Sequence, residues 1–339
     1  MILEQHMASL YVLGGKQRKS FLKNPTEEWH WYESALILEV DTETGSVLTR
    51  VEYTTPPEAR ANEKASINFH APTLVGNTLY TCTGTEVLIY RVPEFEQVGY
   101  ISLPSFNDVH HVAPSPDGNL LVVSTGLDMV VKCTPTGEVL QEFNVLGEHP
   151  WARFSKDIDY RRVETTKPHG SHPNFVFDLN GELWVTRFNQ RDAISMNGSR
   201  ARIDIATEKP HDGILQGDSI YFTTVDGKII IVNRHTLALD RIVDLREISD
   251  GARQILPAWC RGLLPLGGDK FWVGFTRIRK TQYKENVRWV KTILNEGRVM
   301  KPTHIALYDI ADRKCVSEID LEPYGMNAIF GIVPAPSRT

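Results

Sequence analysis

Residues 107–128 read NDVHHVAPSPDGNLLVVSTGLD. A polar segment that contains His110 leads into a short apolar run at residues 112–113. A Pro-Asp-Gly turn at residues 116–118 follows, and residues 120–123 then form a second run of aliphatic side chains. Two short apolar runs on either side of such a turn are typical of an antiparallel strand pair. The stretch therefore predicts part of a small antiparallel sheet.

The same pattern recurs along the chain. Similar units begin near residues 65, 169, 209 and 259, and another strand pair flanks the turn at residues 42–45. Self-similarity at about 35 to 60 residues, with four short strands in each unit, is typical of a β-propeller. No unit could bury both faces of its sheet alone, so the units are expected to pack radially. We predict an all-β, six-bladed β-propeller.

The two ends of the chain complete the predicted architecture. The last apolar run, at residues 327–334, has no partner after it, so it is expected to pair with the opening strand at residues 8–15. No long segment between strands shows clean helical periodicity, which disfavours a parallel α/β fold. Residues 1–339 are therefore predicted to form a single domain. Its long insertions, at residues 16–34, 146–170 and 277–302, should gather over one face, as binding loops and lids often do.

Polar side chains recur at one position of the repeat, just before the inner strand of each blade. Successive blades place these residues there: His70, His110, His172, His211, Arg261 and Asn327. Because the inner strands of a propeller line its central channel, these side chains are predicted to converge at one mouth of that channel. A single His at a loop-to-strand junction is usually only a turn residue, but matching positions in four consecutive blades favour a functional site.

The four imidazoles predict a metal site. Neutral imidazole binds divalent Fe, Mn, Cu or Zn, and an all-His set is more typical of catalytic than of structural zinc sites. The predicted metal ligands are therefore His70, His110, His172 and His211. Asp108 and Asp212 are close to two of them in the sequence and are predicted to orient the imidazoles or to act in catalysis. The other candidate catalytic residues are Arg261, His111 and His169; the last two are alternatives for the channel-facing positions.

This constellation resembles two kinds of propeller enzyme. Four His residues in a propeller channel resemble the site of the carotenoid-cleaving oxygenases, which have seven blades; this resemblance implies an Fe(II) centre. Three His residues with an Arg resemble the arrangement in arylsulfate sulfotransferases and in virginiamycin B lyase-type enzymes. That second resemblance implies a metal-free site in which His is a nucleophile or general base and Arg holds an anionic group.

Basic residues near the same mouth predict an anionic substrate. Arg187, Arg277 and Arg279 follow second strands and are expected to rise toward Arg261. With Asn327 they are the candidate substrate-binding residues. The insertion that begins at Arg277 is rich in Lys and Arg although the chain as a whole carries a net charge of -5. A solvated charged helix would show the same composition.

Three functions follow from these patterns. The first is an enzyme that uses a His-bound divalent metal ion in lyase, oxygenase or isomerase chemistry on a small anionic molecule. The second is metal-free acid-base or transfer catalysis by His and Arg. The third is a non-catalytic propeller that binds a protein partner. The chain has no Trp-Asp or Kelch signature, and a His ring suits an enzyme better than a protein-binding face.

Composition limits the location and the partners. The chain has 339 residues, of which 41% are hydrophobic and 23% charged, as in ordinary folded proteins. Its four cysteines are widely spaced, which predicts free thiols rather than a disulfide framework or a zinc knuckle. The net negative charge gives no general attraction to nucleic acid. We see no membrane-spanning run and no signal peptide, so a cytoplasmic location is expected.

Overall fold

The protein is described by a computed structural model that covers residues 8–18, 31–196, 201–205, 207–248, 259–277 and 301–336. Within these ranges the chain forms six four-stranded antiparallel sheets and short 3-10 helices. The sheets are arranged as the blades of a propeller, which confirms the predicted fold. No helix within the described part of the chain has the length and hydrophobicity that a membrane span requires.

Each blade consists of four strands, which follow one another from the central channel outward. Blade 1 contains β24 (Ala328–Pro334), β1 (Ser9–Gln17), β2 (Tyr32–Asp41) and β3 (Val47–Tyr53). Blade 2 contains β4 (Thr73–Val75), β5 (Thr78–Cys82), β6 (Val87–Arg91) and β7 (Glu96–Ile101). Blade 3 contains β8 (Val109–Pro114), β9 (Leu120–Ser124), β10 (Met129–Cys133) and β11 (Val139–Asn144).

The second half of the propeller has the same organisation. Blade 4 contains β12 (Pro173–Leu179), β13 (Glu182–Arg187), β14 (Asp192–Ser195) and β15 (Arg202–Asp204). Blade 5 contains β16 (Pro210–Gln216), β17 (Ser219–Thr224), β18 (Lys228–Asn233) and β19 (Leu239–Asp244). Blade 6 contains β20 (Trp259–Gly267), β21 (Lys270–Thr276), β22 (His304–Asp309) and β23 (Lys314–Asp320). The 3-10 helices of the connections are Pro57–Ala59, Thr125–Leu127, Tyr160–Arg162, Leu245–Glu247 and Glu322–Tyr324.

The hydrophobic core lies between neighbouring blades. Along β1, Leu10 and Val12 pack in a cluster shared with blade 6, whereas Tyr11 and Leu13 pack in a cluster shared with blade 2. This alternation follows from the period of two along a strand. Similar clusters join the other neighbouring blades around the ring. Each buried aliphatic side chain stabilises the fold by about 1.5–3 kcal/mol, so the blades depend on one another for stability.

The C-terminal strand closes the propeller. β24 pairs antiparallel with β1, from Leu10 opposite Pro334 to Gly15 opposite Ala328. It becomes the inner strand of a blade whose other three strands come from the N-terminal part of the chain. The predicted closure is therefore confirmed. It joins the two ends of the described chain by backbone hydrogen bonds.

The long insertions start and end on one face of the propeller. Inner strands begin at this face, which we call the ring face, and the connections from second to third strands also lie there. Insertion 16–34 joins β1 to β2, and insertion 277–302 joins β21 to β22; both fall largely outside the described residues. Insertion 146–170 leads from β11 toward β12 and is tied to neighbouring connections by hydrogen bonds such as that from Tyr160 N to Pro104 O (2.8 Å).

Five of the inner strands carry a β-bulge near the ring face. One extra residue interrupts the pairing of an inner strand with its second strand in blades 1, 3, 4, 5 and 6. The bulged segments are Phe330, His110, Asn174, Asp212 with Gly213, and Arg261 with Gly262. A bulge redirects a side chain and often lies beside an active site. The bulges of these five blades therefore lie together at the mouth of the channel.

Candidate functional site

Side chains from all six blades form a circle at the ring face, which we call the mouth circle. Its members are Phe330, His70, His110, His172, Phe188, His211 and Arg261. From Phe330 to His211, each ring contacts the next, with centroids 4.4–5.1 Å apart. The distances are 4.8 Å for Phe330 and His70, 4.4 Å for His70 and His110, and 4.9 Å for His110 and His172. They are 4.8 Å for His172 and Phe188 and 5.1 Å for Phe188 and His211. The Arg261 guanidinium lies 5.1 Å from the Phe330 ring. The structure thus brings together five of the six predicted ring positions.

His110 has a defined tautomer. Its Nδ1 lies 2.7 Å from the carbonyl oxygen of Asp108, which can only accept, so Nδ1 carries the proton and Nε2 has a free lone pair. Burial lowers the pKa of His110 to about 4, although the carboxylate of Asp108 acts in the opposite direction. His110 is therefore neutral at pH 7. Its Nε2 can accept a proton or bind a metal ion.

His172 is fixed at its backbone by Asp128. The buried Asp128 carboxylate accepts hydrogen bonds from the backbone N–H groups of Gly170, Ser171 and His172 at 2.8–2.9 Å, and from Arg153 at 2.7 Å. His172 has a positive φ of 57°, an uncommon conformation that clusters at functional sites. The three backbone bonds hold this conformation and fix the start of β12.

The imidazoles of His169 and His172 face each other. Their Nδ1 atoms are 2.9 Å apart, so one nitrogen donates to the other, and His172 Nε2 is buried without a hydrogen-bond partner among the described residues. Burial lowers the pKa of both residues. His169, an alternative to His172 in the sequence, is therefore its direct neighbour at the mouth.

The Asp108 carboxylate lies among these imidazoles. Burial favours its neutral form, but His110, His169 and Lys167 outweigh that effect and hold the pKa of Asp108 well below its usual range. Two sets of potential metal ligands share this carboxylate: His70, Asp108 and His110, and Asp108, His169 and His172. Within each set the ligand atoms lie within 4.8 Å of one another. We call these five residues the Asp108 cluster.

His70 adds another imidazole with an open nitrogen to the cluster. Its Nε2 lies 3.1 Å from the Asn68 side-chain amide, and its Nδ1 is buried without a partner among the described residues. Burial, followed by the neighbouring His110, lowers the pKa of His70 well below its ordinary value. A buried polar atom with no partner costs about 1–3 kcal/mol, so such atoms mark sites where a ligand or water is expected.

His211 and Arg261 occupy the opposite side of the mouth circle. Both ring nitrogens of His211 and the Nε of Arg261 are buried without hydrogen-bond partners in the described part of the chain. Burial, and then the charge of Arg261, lower the pKa of His211 well below its ordinary value. Burial lowers the pKa of Arg261 to about 10, which leaves it charged at pH 7. The Lys209 ammonium covers the Phe188 ring at 4.9 Å and adds a second cation near this side.

Asp212, the residue after His211, links blade 5 to blade 6. Its carboxylate accepts hydrogen bonds from the Thr223 hydroxyl (2.5 Å) and from the backbone N–H of Gly262. Burial outweighs these bonds and raises the pKa of Asp212 to about 6. Because Gly262 follows Arg261, this carboxylate ties blade 5 to blade 6 directly behind the mouth circle.

The raised pKa of Asp212 predicts a pH-dependent stability. Asp212 binds a proton more tightly in the folded protein than at its ordinary pKa of 3.8. Its stabilising contribution is therefore complete below about pH 4 and is lost as the pH rises through about 6. Asp212→Asn removes this titration and fits the positive φ of 65°. Chemical denaturation should show the wild type losing about 3 kcal/mol relative to the variant between pH 4 and pH 7. Parallel profiles would contradict the assignment.

His111 lies below the mouth circle, where it lines the channel cavity together with Phe175. Its Nδ1 accepts the backbone N–H of Val176 at 3.1 Å, so its Nε2 carries the proton and donates to the Thr73 hydroxyl at 3.0 Å. The ring stacks on Phe175 with centroids 3.6 Å apart. Both nitrogens are thus used within the fold. The geometry favours His110 for the mouth and gives His111 a structural role.

The predicted substrate-binding arginines are held by carboxylates. Arg187 donates two hydrogen bonds to Asp192, at 2.8 and 2.7 Å, and another to a backbone carbonyl. Arg277 makes a bidentate ion pair with Glu322. Neither guanidinium is brought into the mouth circle, since each completes a pair within or beside its own blade. Arg279 lies outside the described residues.

Phe330, not Asn327, represents blade 1 in the mouth circle. The Asn327 side-chain oxygen accepts a hydrogen bond from the backbone N–H of Gln17 (2.8 Å). Leu13 of β1 is opposite Gly331 of β24, and the next residue, Gly14, is opposite Ile329, so Phe330 is the extra residue of a bulge. The alignment by spacing selected Asn327 because a bulge cannot be seen in spacing alone.

Phe188 is the other member of the mouth circle that sequence reasoning missed. It follows β13 and separates His172 from His211, with centroid distances of 4.8 and 5.1 Å. Phe188 directly follows Arg187, the last residue of a second strand. Because second strands end at the ring face, this position alone would have predicted that Phe188 lies near the mouth of the channel. A charged residue at such a position is the more obvious candidate for a site than the aromatic residue beside it.

The channel beyond the mouth circle contains a cavity of about 370 Å³. Residues from all six inner strands line it, among them Leu74, Ala113, Ile214 and Leu264. Its walls are largely apolar, and Asp212 is one of the polar groups that reach it. The mouth circle therefore lies above a space large enough for part of a small molecule.

Comparison with known proteins supports the fold. No protein-family model matches the chain, and no curated protein matches it in sequence. A solved structure of a protein of unknown function from Bacteroides caccae is similar, with a TM-score of 0.61 and 14% identity over 97% of this chain and 100% of that chain. A periplasmic gluconolactonase from Pseudomonas aeruginosa has a TM-score of 0.52 and 14% identity over 92% of this chain and 84% of that chain.

A weaker similarity is to a propeller lyase. Virginiamycin B lyase from Staphylococcus aureus, solved as a catalytically inactive variant with quinupristin, has a TM-score of 0.47 and 12% identity over 92% of this chain and 89% of that chain. At such identities a structural likeness establishes the propeller fold alone. The function must therefore be argued from the side chains of the site.

Proposed function

We propose that this protein is an enzyme that binds one divalent transition metal ion at the Asp108 cluster and acts on a small anionic molecule in the mouth circle. The observation that carries the proposal is the shared carboxylate: two sets of two imidazoles and one carboxylate meet at Asp108. An ionised carboxylate and neutral imidazoles are the protonation states that metal binding requires. The lowered pKa of His110 agrees with that requirement.

The donor set suits a catalytic ion. Two His residues and one carboxylate leave coordination positions open for water or substrate, as in non-haem Fe(II) oxygenases and in zinc peptidases. Such an ion would polarise a substrate oxygen, lower the pKa of bound water or support redox chemistry. Oxygenase, lyase and isomerase reactions all remain within its scope. The neutral Nε2 of His110 would be available nearby as a ligand or a general base.

The spacing of His169 and His172 supports the same proposal. Two nitrogens bound to one ion at about 2.1 Å and at a right angle are about 3 Å apart. The Nδ1 atoms of His169 and His172 are 2.9 Å apart, and the Asp108 carboxylate lies within reach of both. In the absence of an ion the two nitrogens share one hydrogen bond, so an ion bound by both would replace the proton between them.

His211 is assigned to the substrate rather than to the ion in this proposal. Neither ligand set among the described residues includes it, and Phe188 stands between it and His172. The four-His site expected from the sequence is therefore replaced by a site centred on Asp108. His211 then adjoins Arg261, which would bind the anionic part of the substrate.

Metal-free catalysis is the second candidate, and one specific observation favours it. His110 combines an Nδ1 proton held by the Asp108 carbonyl with an Nε2 lone pair directed away from that bond, so it is placed to accept a proton without a metal ion. Arg261 would then hold the anion during proton transfer. In that case chelators would leave the reaction unaffected.

Elemental analysis of the purified protein tests the proposal. We expect close to one Fe, Mn, Cu or Zn ion per chain, which a chelator removes. His172→Ala should retain less than about a tenth of that content, because it removes a ligand or the partner of one. His235→Ala is the matched control, since that imidazole is 62% exposed and pairs with Asp218 on the surface. The control should keep its metal.

The outcomes separate the candidate functions. Metal content that persists in His172→Ala would exclude the set of Asp108, His169 and His172, and persistence in His70→Ala as well would contradict a site at the Asp108 cluster. A metal-free protein that binds small anions through Arg261 would favour the second candidate. A protein that takes up neither metal nor small anions would favour the non-catalytic propeller that binds a protein partner.

A further inference from the structure

We propose further that His211 and Arg261 form a carboxylate-binding half of the mouth circle, and that the substrate is a small carboxylate. This inference rests on the proposed function, because it assigns a substrate class to the same site. The carboxylate half comprises blades 5 and 6, whereas the Asp108 cluster comes from blades 2 to 4 and the connection before β12. The two halves would hold opposite ends of one molecule.

Unpartnered buried atoms carry the proposal. His211 Nδ1, His211 Nε2 and Arg261 Nε all lack hydrogen-bond partners within the described ranges. A native fold rarely leaves several such atoms together unless a ligand or water uses them. Tyr32, Asp108 and Asp212 act on Arg261 electrostatically, but neither carboxylate forms an ion pair with it among the described residues. The guanidinium therefore retains its capacity to bind an external carboxylate.

The backbone holds His211 and Arg261 side by side. Both lie near the starts of adjacent inner strands: His211 directly precedes the bulge at residues 212–213, and Arg261 is the first residue of the bulge at residues 261–262. The Gly262 N–H donates to the Asp212 carboxylate, which links the residues directly after His211 and Arg261. Since this link is made within the fold, the pair would be in place before a ligand arrives. Preorganisation of this kind lowers the cost of binding.

The surrounding charges favour a carboxylate over phosphate. Arg261 and Lys209 are two cations on this side, but two carboxylates, Asp108 and Asp212, already lie within the electrostatic range of Arg261. A monoanion would be better balanced there than a phosphate dianion. Phe330 lies against the guanidinium at 5.1 Å, and Phe188 lies against His211 at 5.1 Å. These rings offer an apolar wall to the carbon skeleton of the ligand.

Calorimetric titration of the chelated protein with benzoate, acetate and inorganic phosphate tests the inference without a metal ion. We expect the two monocarboxylates to bind more tightly than phosphate. Arg261→Gln should weaken benzoate binding at least about tenfold, because it removes a charge-assisted bidentate contact. Arg261→Lys keeps the charge but lacks the planar guanidinium. Its affinity for benzoate should lie between those of the wild type and Arg261→Gln. Arg241→Gln is the control and should change binding less than about threefold, because that guanidinium pairs with Asp269 on the surface.

The results also distinguish this inference from the metal proposal. Arg261→Gln should keep the metal content of the wild type, since Arg261 belongs to neither ligand set. Equal benzoate binding by the wild type and a folded Arg261→Gln variant would overturn the inference, as would tighter binding of phosphate or no binding of either carboxylate. If the protein proved metal-free but its benzoate binding depended on Arg261, the metal proposal would fail and the carboxylate half would stand.

Discussion

Asp108→Asn is expected to abolish metal binding and catalysis while leaving the fold intact. Asn keeps the size of the side chain and tolerates the positive φ of 50° at this position, but it lacks the negative charge that both ligand sets share. The His110 contact to the backbone carbonyl of residue 108 is unaffected by the change. We expect metal affinity to fall by at least about 100-fold and the melting temperature to stay close to that of the wild type. Elemental analysis, metal titration and a thermal melt of the same sample measure these effects.

The matched control for this variant is Asp117→Asn. Asp117 lies in the turn between β8 and β9 of the same blade, where its half-exposed carboxylate pairs with Lys132. Surface pairs of this kind contribute about 0–1 kcal/mol, so the control should keep its metal and its melting temperature. A folded Asp108→Asn variant with the metal content of the control would exclude Asp108 as the centre of the site.

Gly14→Ala is expected to produce the largest loss of stability from a single methyl group. The added Cβ would lie 1.8 Å from the backbone oxygen of Ala328 and 2.6 Å from the Met326 sulfur. The thioether could move, but the carbonyl belongs to the closing strand β24 and is fixed by its pairing with β1. Separating these strands should reduce the free energy of unfolding by about 3 kcal/mol. Chemical denaturation measures the change.

Gly84→Ala is the control for the closure. A Cβ at Gly84 would meet no atom within 4 Å, and its backbone has no positive φ. Its effect on the free energy of unfolding should stay within about 0.5 kcal/mol. If Gly14→Ala lowered the free energy of unfolding no more than Gly84→Ala, close packing of β1 against β24 would not determine the stability of the propeller.

The fold could be predicted because its information is local and repeated. In residues 107–128 the apolar runs and the turn each specify their own strand or loop, and the next copies repeat the signal. Closure could be predicted for a related reason: residues 327–334 are apolar and have no later partner. Each of these inferences depends on neighbours in sequence rather than on contacts between distant blades.

The site could be predicted only in part because its contacts are not local. The positions of His70, His110, His172, His211 and Arg261 follow from the repeat, and the structure brings them together. The pairing of Arg187 with Asp192 and of Arg277 with Glu322 depends on which side chains meet in three dimensions. The place of Asp108 among the imidazoles also depends on the insertion that carries His169. Spacing along the chain contains none of this information.

The bulges at the ring face allow the mouth of this propeller to vary independently of its framework. A bulged residue such as Phe330 or His110 has no direct counterpart in the ladder of backbone pairs. Exchanging its side chain therefore changes what the channel presents to a ligand without shifting the register of the strands behind it. A lineage of such proteins could acquire a new chemistry one blade at a time, and each intermediate would still close its ring.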